Sequence, residues 1–256
     1  MNSILIIMKM NMNMKADKIL KIYKQLSEDV NKLTFSVPVV SVYNPLSYAW
    51  HGFEKYISFM SDDVKYIFLG MNPGPWGMAQ TGVPFGEVDA VKNFLGINDL
   101  SIRKPLNELN EYPVKGLECT RSEVSGKRLW GLFKQRYDDS SKFFRENFVL
   151  NYCPLLFLSG RPGGHARNFT PDKLNMIERR KLFTLCDNCL RHVIEIIKPE
   201  VLIGVGVFAA SKAEDVLKGF DIRIIKILHP SPASPKSNND WAGKVTRQLI
   251  EFGVWQ

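Results

Sequence analysis

Four short apolar runs recur along the chain: Val64–Gly70 (VKYIFLG), Phe148–Tyr152 (FVLNY), Val201–Gly206 (VLIGVG) and Ile222–Leu228 (IRIIKIL). Each is rich in β-branched residues and bounded by turn residues, the pattern of a strand buried on both faces. Segments of helical periodicity lie between and around them. Strands buried on both faces and separated by helices require a mainly parallel sheet with helices covering each side. The predicted class is α/β: a single-domain, three-layer α/β/α architecture around a central four-stranded parallel sheet. The predicted helices are Lys18–Leu33, Pro45–Met60, Gly126–Tyr137 with Ser125 as its N-cap, Asp172–Ile197, Phe208–Leu217 and Asn239–Phe252. Ile97–Glu123, rich in Pro, Asn and Glu, reads as a long excursion over the surface. No repeat or linker divides the chain, so residues 15–256 are expected to form one domain behind a disordered tail, residues 1–14. The apolar stretch Ser3–Met8 is too short for an export signal or a membrane span, and no membrane association is expected.

The exits from these strands carry the unusual sequence. Val64–Gly70 runs into a loop, Gly70–Glu87, with five glycines and three prolines in eighteen residues. Prolines fix the shape of such a loop, and glycines let another group approach its backbone. The loop looks built to hold something flat against Phe85 or Trp76. Asn72 stands at its mouth. The second strand ends at Asn151, and the fourth ends at His229, which opens HPSPASP. In open parallel sheets, ligands sit beyond the carboxyl ends of the strands. If these strands run parallel, Asn72, Asn151 and His229 come out on one edge and face one pocket.

Two carboxamides and one imidazole define the available chemistry. Carboxamides do not act as acids or bases at neutral pH, but they orient water and read a donor–acceptor edge. Imidazole can donate a hydrogen bond to developing negative charge. The set suits a reaction whose leaving group is a stable planar anion, such as cleavage of a pyrimidine from its sugar. It calls for no metal, cofactor or covalent intermediate. Each residue also has a local alternative: Asn72 as a turn former before Pro73, Asn151 as a strand-end residue, His229 as a loop residue, and Phe85 and Trp76 as packing. The Cys186-x-x-Cys189 pair has metal-ligand spacing but shares one face of an apolar-periodic helix, which favours core packing. Four cysteines without an evident export signal point to a reducing, cytoplasmic setting. The formal net charge of +8 suits a polyanionic partner, nucleic acid first, although a generically basic protein would show the same excess.

At these residues a family resemblance emerges. GMNPGPWGMAQTGVPFGEV (Gly70–Val88), GLEC (Gly116–Cys119), SEVSGKRLWG (Ser122–Gly131), NYCPLLFL (Asn151–Leu158), RNFTP (Arg167–Pro171) and HPSP (His229–Pro232) resemble the single-strand-selective monofunctional uracil-DNA glycosylases. The motifs stand in family order, from about Tyr43 to the C-terminus. The resemblance implies the uracil-DNA glycosylase fold for residues 15–256. It also implies hydrolysis of the N-glycosidic bond of uracil, and of oxidised uracils such as 5-hydroxymethyluracil, leaving an abasic site for base-excision repair. Asn72 would position the water and His229 would stabilise the departing uracilate. Asn151 would read N3 and O4, and Phe85 would stack on the base. Backbone groups near Met71 and Gly74 would line the pocket. Gly74 would leave room beside C5, so that exclusion of thymine rests on water and pocket polarity. Gly82 and Gly86 would let the chain turn to present Phe85.

The substrate implied is uracil-containing DNA, single- or double-stranded, bound by a monomer in the cytoplasm, nucleoid or nucleus. Ser125, Lys127 and Arg128 are candidate phosphate contacts at a helix start. Pro230, Ser231, Pro232, Ala233 and Lys236 form a candidate duplex-inserting loop. Here the sequence departs from the family pattern: Ala233 occupies a position where family members carry an Arg, and Gly163–Ala166 looks like an insertion. Two alternatives stand beside this reading. One is a glycosylase of the same fold acting on hypoxanthine or xanthine; the other is a non-catalytic DNA-binding module.

Overall fold

The structure, a computed structural model, describes residues 14–160 and 164–256, without the side chain of Lys236. Its elements in chain order are α1 (Met14–Val30), β1 (Val39–Tyr43), α2 (Pro45–Tyr48), α3 (Trp50–Ile57), β2 (Tyr66–Gly70), α4 (Met78–Thr81), α5 (Val88–Asn93), α6 (Val124–Tyr137), α7 (Ser140–Phe144), β3 (Asn147–Asn151), β4 (Leu156–Ser159), β5 (Arg167–Phe169), α8 (Met176–Ile197), β6 (Val201–Val205), α9 (Val207–Val216), β7 (Arg223–Ile227) and α10 (Trp241–Glu251).

The four apolar runs pair as expected. They form one parallel sheet in the order β3-β2-β6-β7. Ile67, Phe68 and Leu69 of β2, Phe148, Val149 and Leu150 of β3, and Leu202 and Ile203 of β6 are fully enclosed. Helices on both faces supply the rest of that core, among them Phe133 of α6 and Cys186, Leu190 and Val193 of α8. Strand β3 lies at an edge, where free backbone groups need partners. The buried Tyr56 hydroxyl supplies them, donating to the Val149 carbonyl at 2.9 Å and accepting from the Val149 N–H at 3.1 Å.

Several expectations need correction. Met14, assigned to the tail, begins α1; residues 1–13 lie outside the described residues, as does Gly163 of the expected insertion. Pro45–Met60 is two helices broken at Ala49, whose backbone leaves the helical region. The α8 helix starts at Met176 because Asn175 caps it, its side chain accepting from the Glu178 N–H at 3.0 Å; Pro171–Lys173 is a separate 3-10 turn. Ser125 is not an N-cap. Helix α6 begins at Val124, with Glu123 in the cap position and Ser125 inside the first turn. The segment 97–123 is mostly irregular, but it is more than a surface excursion: Ile97, Val114 and Cys119 are buried.

A second sheet went unread in the sequence. Strands β1, β4 and β5 pair antiparallel in the order β1-β4-β5. Strand β4 follows β3 after only four residues, and β5 is three residues long and largely exposed. Neither offers a periodicity long enough to be recognised. This small sheet brings Asn168 and Thr170 to the carboxyl edge of the large one, and Leu155, just before β4, presents its carbonyl to Asn72 there.

Candidate active site

Strands β2 and β3 leave the sheet in register, Gly70 opposite Asn151. Their pairing continues past the strands, with Tyr152 N–H donating to the Gly70 carbonyl at 2.9 Å and Cys153 N–H to the Met71 carbonyl at 2.8 Å. Strand β7 ends at Ile227, two residues before His229, and pairs with β6 there. Parallel geometry therefore delivers Asn72, Asn151 and His229 to one cavity of about 410 Å³, which Met71, Gly74 and Phe85 also line. That volume suits a small planar ligand. A larger cavity of about 730 Å³ lies elsewhere, beside β1 and the segment 103–107. It contains none of the strand-end residues, so the smaller cavity is the candidate site.

The three polar side chains are held in distinct ways. Asn72 donates through Nδ2 to the Pro73 and Leu155 carbonyls, both at 3.2 Å. Its two donors are thereby used, and Oδ1 remains as an acceptor. Asn151 is buried; its Nδ2 reaches only the Met78 thioether sulfur at 3.3 Å, and its Oδ1 has no partner. An orphaned buried carboxamide oxygen is costly, and such atoms concentrate at binding sites. The Nδ1 of His229 accepts from the Ser231 N–H at 3.0 Å, so the neutral ring carries its proton on Nε2. Burial pushes the His229 pKa down to about 4, which keeps the ring neutral at pH 7.

Phe85 is buried and adopts a left-handed backbone, φ 53°. A non-glycine residue in that region is strained, a state typical of functional sites. The sharp turn expected of Gly86 is thus taken by Phe85 itself. Glycines do serve its approach. A Cβ at Gly70 would overlap both the Phe85 ring and Asn151 Oδ1, and one at Gly126 would overlap the Phe85 carbonyl. The Phe85 ring centroid lies 6.4 Å from that of His229. Trp76 takes a different course. It stacks on Tyr112 at 5.5 Å, with the Arg121 guanidinium 4.2 Å above its ring, and does not line the cavity.

Sequence reasoning assigned no role to Glu123, which the structure puts in the cavity wall. A Cβ at Gly74 or Gly77 would overlap its Oε2, so the space beside Gly74 is filled by this carboxyl. Burial, with the nearby charge of Glu87, pushes the Glu123 pKa up to about 7. No local pattern marks Glu123, because the glycines that enclose it are remote in sequence. Asn168, Thr170, Val207 and Phe208 also line the cavity unforeseen.

The outer candidates separate. Ser125 and Ser231 line the cavity, and Lys127 is exposed. Arg128 is half-buried and donates through Nη1 to the Pro230 carbonyl at 2.9 Å, tying α6 to the HPSP loop. Pro230 is buried, whereas Pro232 and Ala233 are exposed. The loop is held by internal bonds, with Asn238 Nδ2 donating to the Pro232 carbonyl at 3.0 Å and Ala233 N–H to Ser231 Oγ at 3.2 Å. Lys236 falls in the 3-10 turn Pro235–Ser237, and its side chain lies outside the described ones. All four cysteines are buried, Cys186 and Cys189 within the core.

Comparison with known proteins shows the family and the fold. Residues 57–250 match the Uracil DNA glycosylase superfamily. The rat single-strand selective monofunctional uracil-DNA glycosylase is 42% identical over 233 residues, covering 90% of this chain and 82% of the rat protein. The Bos taurus protein of the same name is 41% identical, with 90% and 84% covered. The solved structure of wild-type Pedobacter heparinus SMUG2 superposes with a TM-score of 0.69 at 18% identity, covering 94% of this chain and 97% of that one. At that identity the match speaks for the fold.

Proposed function

This chain belongs to the single-strand-selective monofunctional uracil-DNA glycosylase family of the uracil-DNA glycosylase superfamily, and on that premise we propose how its pocket releases uracil from DNA. The reaction is hydrolysis of the N-glycosidic bond, with no lyase step. The observation that carries the assignment of the pocket is the orphaned Oδ1 of Asn151, buried in the cavity that Asn72 and His229 share.

A uracil flipped from the stack, at a cost of roughly a few kcal/mol, enters beside Phe85. Asn151 accepts from N3–H through Oδ1 and donates to O4 through Nδ2. Cytosine presents an acceptor at N3 and a donor at N4, so it mismatches both groups. The N1–C1′ bond breaks with its electron pair leaving on uracil, and that charge spreads onto O2 and O4. His229 donates from Nε2–H to O2. A neutral donor fixed in place stabilises developing charge without reorganising. A water held by Asn72 Oδ1 adds to C1′, and its proton passes to solvent or the departing base. The abasic site remains.

The partner is DNA, and the net charge of +8 and the exposed Lys127 favour its backbone. We further propose that one chain acts alone, since it supplies all three polar groups, and that it works in the compartment that holds the cell's DNA. Among the described residues no helix is long and apolar enough to cross a membrane. Incubation with a uracil-containing oligonucleotide, followed by alkali, tests the reading. Scission at uracil is expected. Scission only at hypoxanthine or xanthine would move the substrate to a deaminated purine, and retention without base release would leave a DNA-binding module.

A further inference from the structure

The Glu123 carboxyl is the one ionisable group of the pocket wall that the mechanism above leaves unused. It reaches the cavity from the start of α6, into the gap left by two glycines of the β2 exit loop. A side chain at Gly74 or Gly77 would overlap its Oε2, which is buried without a hydrogen-bond partner, and the Gly77 N–H is the one backbone group that favours its charged form. Such an oxygen is a debt that a ligand can relieve. The ring assignments above leave one edge of the base unclaimed. His229 takes O2, Asn151 takes N3 and O4, and N1 bears the sugar, which leaves C5–C6 for the rest of the lining, where Gly74 and Glu123 stand together.

We propose that Glu123 is a specificity-determining residue, whose carboxyl forms the wall a side chain at position 74 would otherwise form and favours a hydroxyl-bearing group over a methyl group at C5. The inference deepens the reading of the pocket given above and rests on it. A hydroxyl donates to the carboxylate in a charge-assisted hydrogen bond, stronger than the bond it accepts from the neutral acid, and rotation about Cγ–Cδ presents either oxygen. A methyl group offers Oε2 no hydrogen bond and leaves that oxygen without a partner. Sites built to bond a hydroxyl discriminate strongly against analogues lacking it. The group's protonation near neutrality, set by burial and by Glu87, makes the preference depend on pH. Across the pocket His229 is neutral in this range, and Asn72 and Asn151 do not titrate.

The test compares kcat/KM for uracil, 5-hydroxymethyluracil and thymine in otherwise identical oligonucleotides. In Glu123→Met the 5-hydroxymethyluracil-to-uracil ratio should fall at least about tenfold and thymine release should rise relative to uracil. Glu123→Gln, which keeps a polar terminus, should retain most of the preference. In the wild-type protein the ratio should climb between about pH 6 and pH 8, while in Glu123→Gln it should stay flat. An unchanged ratio in Glu123→Met, with uracil still released, would overturn the assignment alone. Should that variant not fold, identical pH profiles of the ratio in wild type and Glu123→Gln would overturn it. Absence of uracil release by the wild-type protein would overturn the pocket reading, and this assignment with it.

Discussion

The backbone N–H of Ser231 lies 3.0 Å from Nδ1 of His229, and this one bond fixes which imidazole nitrogen carries the proton. A loop that follows the strand thereby sets the chemistry of the residue at the strand's end. The donor is left on Nε2, on a side chain that lines the cavity. Proline residues flank Ser231 on both sides and restrict that loop's backbone.

His229→Ala should lower kcat by about 10²–10³, the usual loss when one donor to a developing anion is removed. The acid limb gives a second measurement. Because burial holds the His229 pKa at about 4, below its ordinary 6.5, the neutral donor persists on acidification. Single-turnover rates should therefore show no loss from imidazole titration until pH falls below about 5. A rate that halves near pH 6.5 would contradict this.

Asn72→Ala should reduce the single-turnover rate by about 10²–10⁴ while DNA binding stays within a few-fold. The carboxamide's own donors are spent on the Pro73 and Leu155 carbonyls, so what the reaction loses is the acceptor Oδ1. Circular dichroism should confirm an intact fold.

Asn151→Ala should lower kcat/KM for uracil by about ten- to a hundredfold and narrow the discrimination against cytosine. Its cost in stability should be small, under about 1 kcal/mol by denaturant titration. The native side chain makes only the contact to the Met78 sulfur, and its oxygen is already unpaired. A large loss of stability would mark Asn151 as structural.

Lys127→Ala should reduce the slope of log K against log salt by about one phosphate contact. Arg128→Ala should leave that slope nearly unchanged, because its guanidinium is engaged with the Pro230 carbonyl. Its effect should instead be weaker binding through a loosened HPSP loop, seen as a faster off-rate.

Glu123→Gln should be more stable than wild type above pH 7 and lose that advantage near pH 4.5. Burial raises the folded-state pKa from 4.5 to about 7, so between those values the folded protein binds more protons than the unfolded chain. Wild-type stability then falls as pH rises through the window, by about 1–3 kcal/mol in total. Thermal melts of both proteins at pH 5 and pH 8 measure the difference. An equal gap at the two pH values would mean that the carboxyl is not so enclosed.

The sheet and its covering helices were legible because burial on both faces leaves an uninterrupted apolar run, and because helix periodicity survives over many residues. For Asn72, Asn151 and His229, membership of one pocket followed from the assumption of parallel strands alone. The small sheet of β1, β4 and β5 was not legible, since strands of three to five residues with mixed exposure carry little pattern. Trp76 and Phe85 looked equivalent in the loop. Only packing separates them, by giving Trp76 a stack on Tyr112 with the Arg121 guanidinium over its ring, and Phe85 a strained place in the cavity.

By itself the sequence determined the fold class, the family likeness and the residue types available for chemistry, all of which are local or topological properties. The tertiary structure decided their states. It oriented the Asn72 carboxamide through Leu155, chose the His229 tautomer through Ser231, and put the Glu123 carboxyl against Gly74. Those outcomes depend on contacts between elements far apart in the chain and on exclusion of water, and no short window of sequence encodes either.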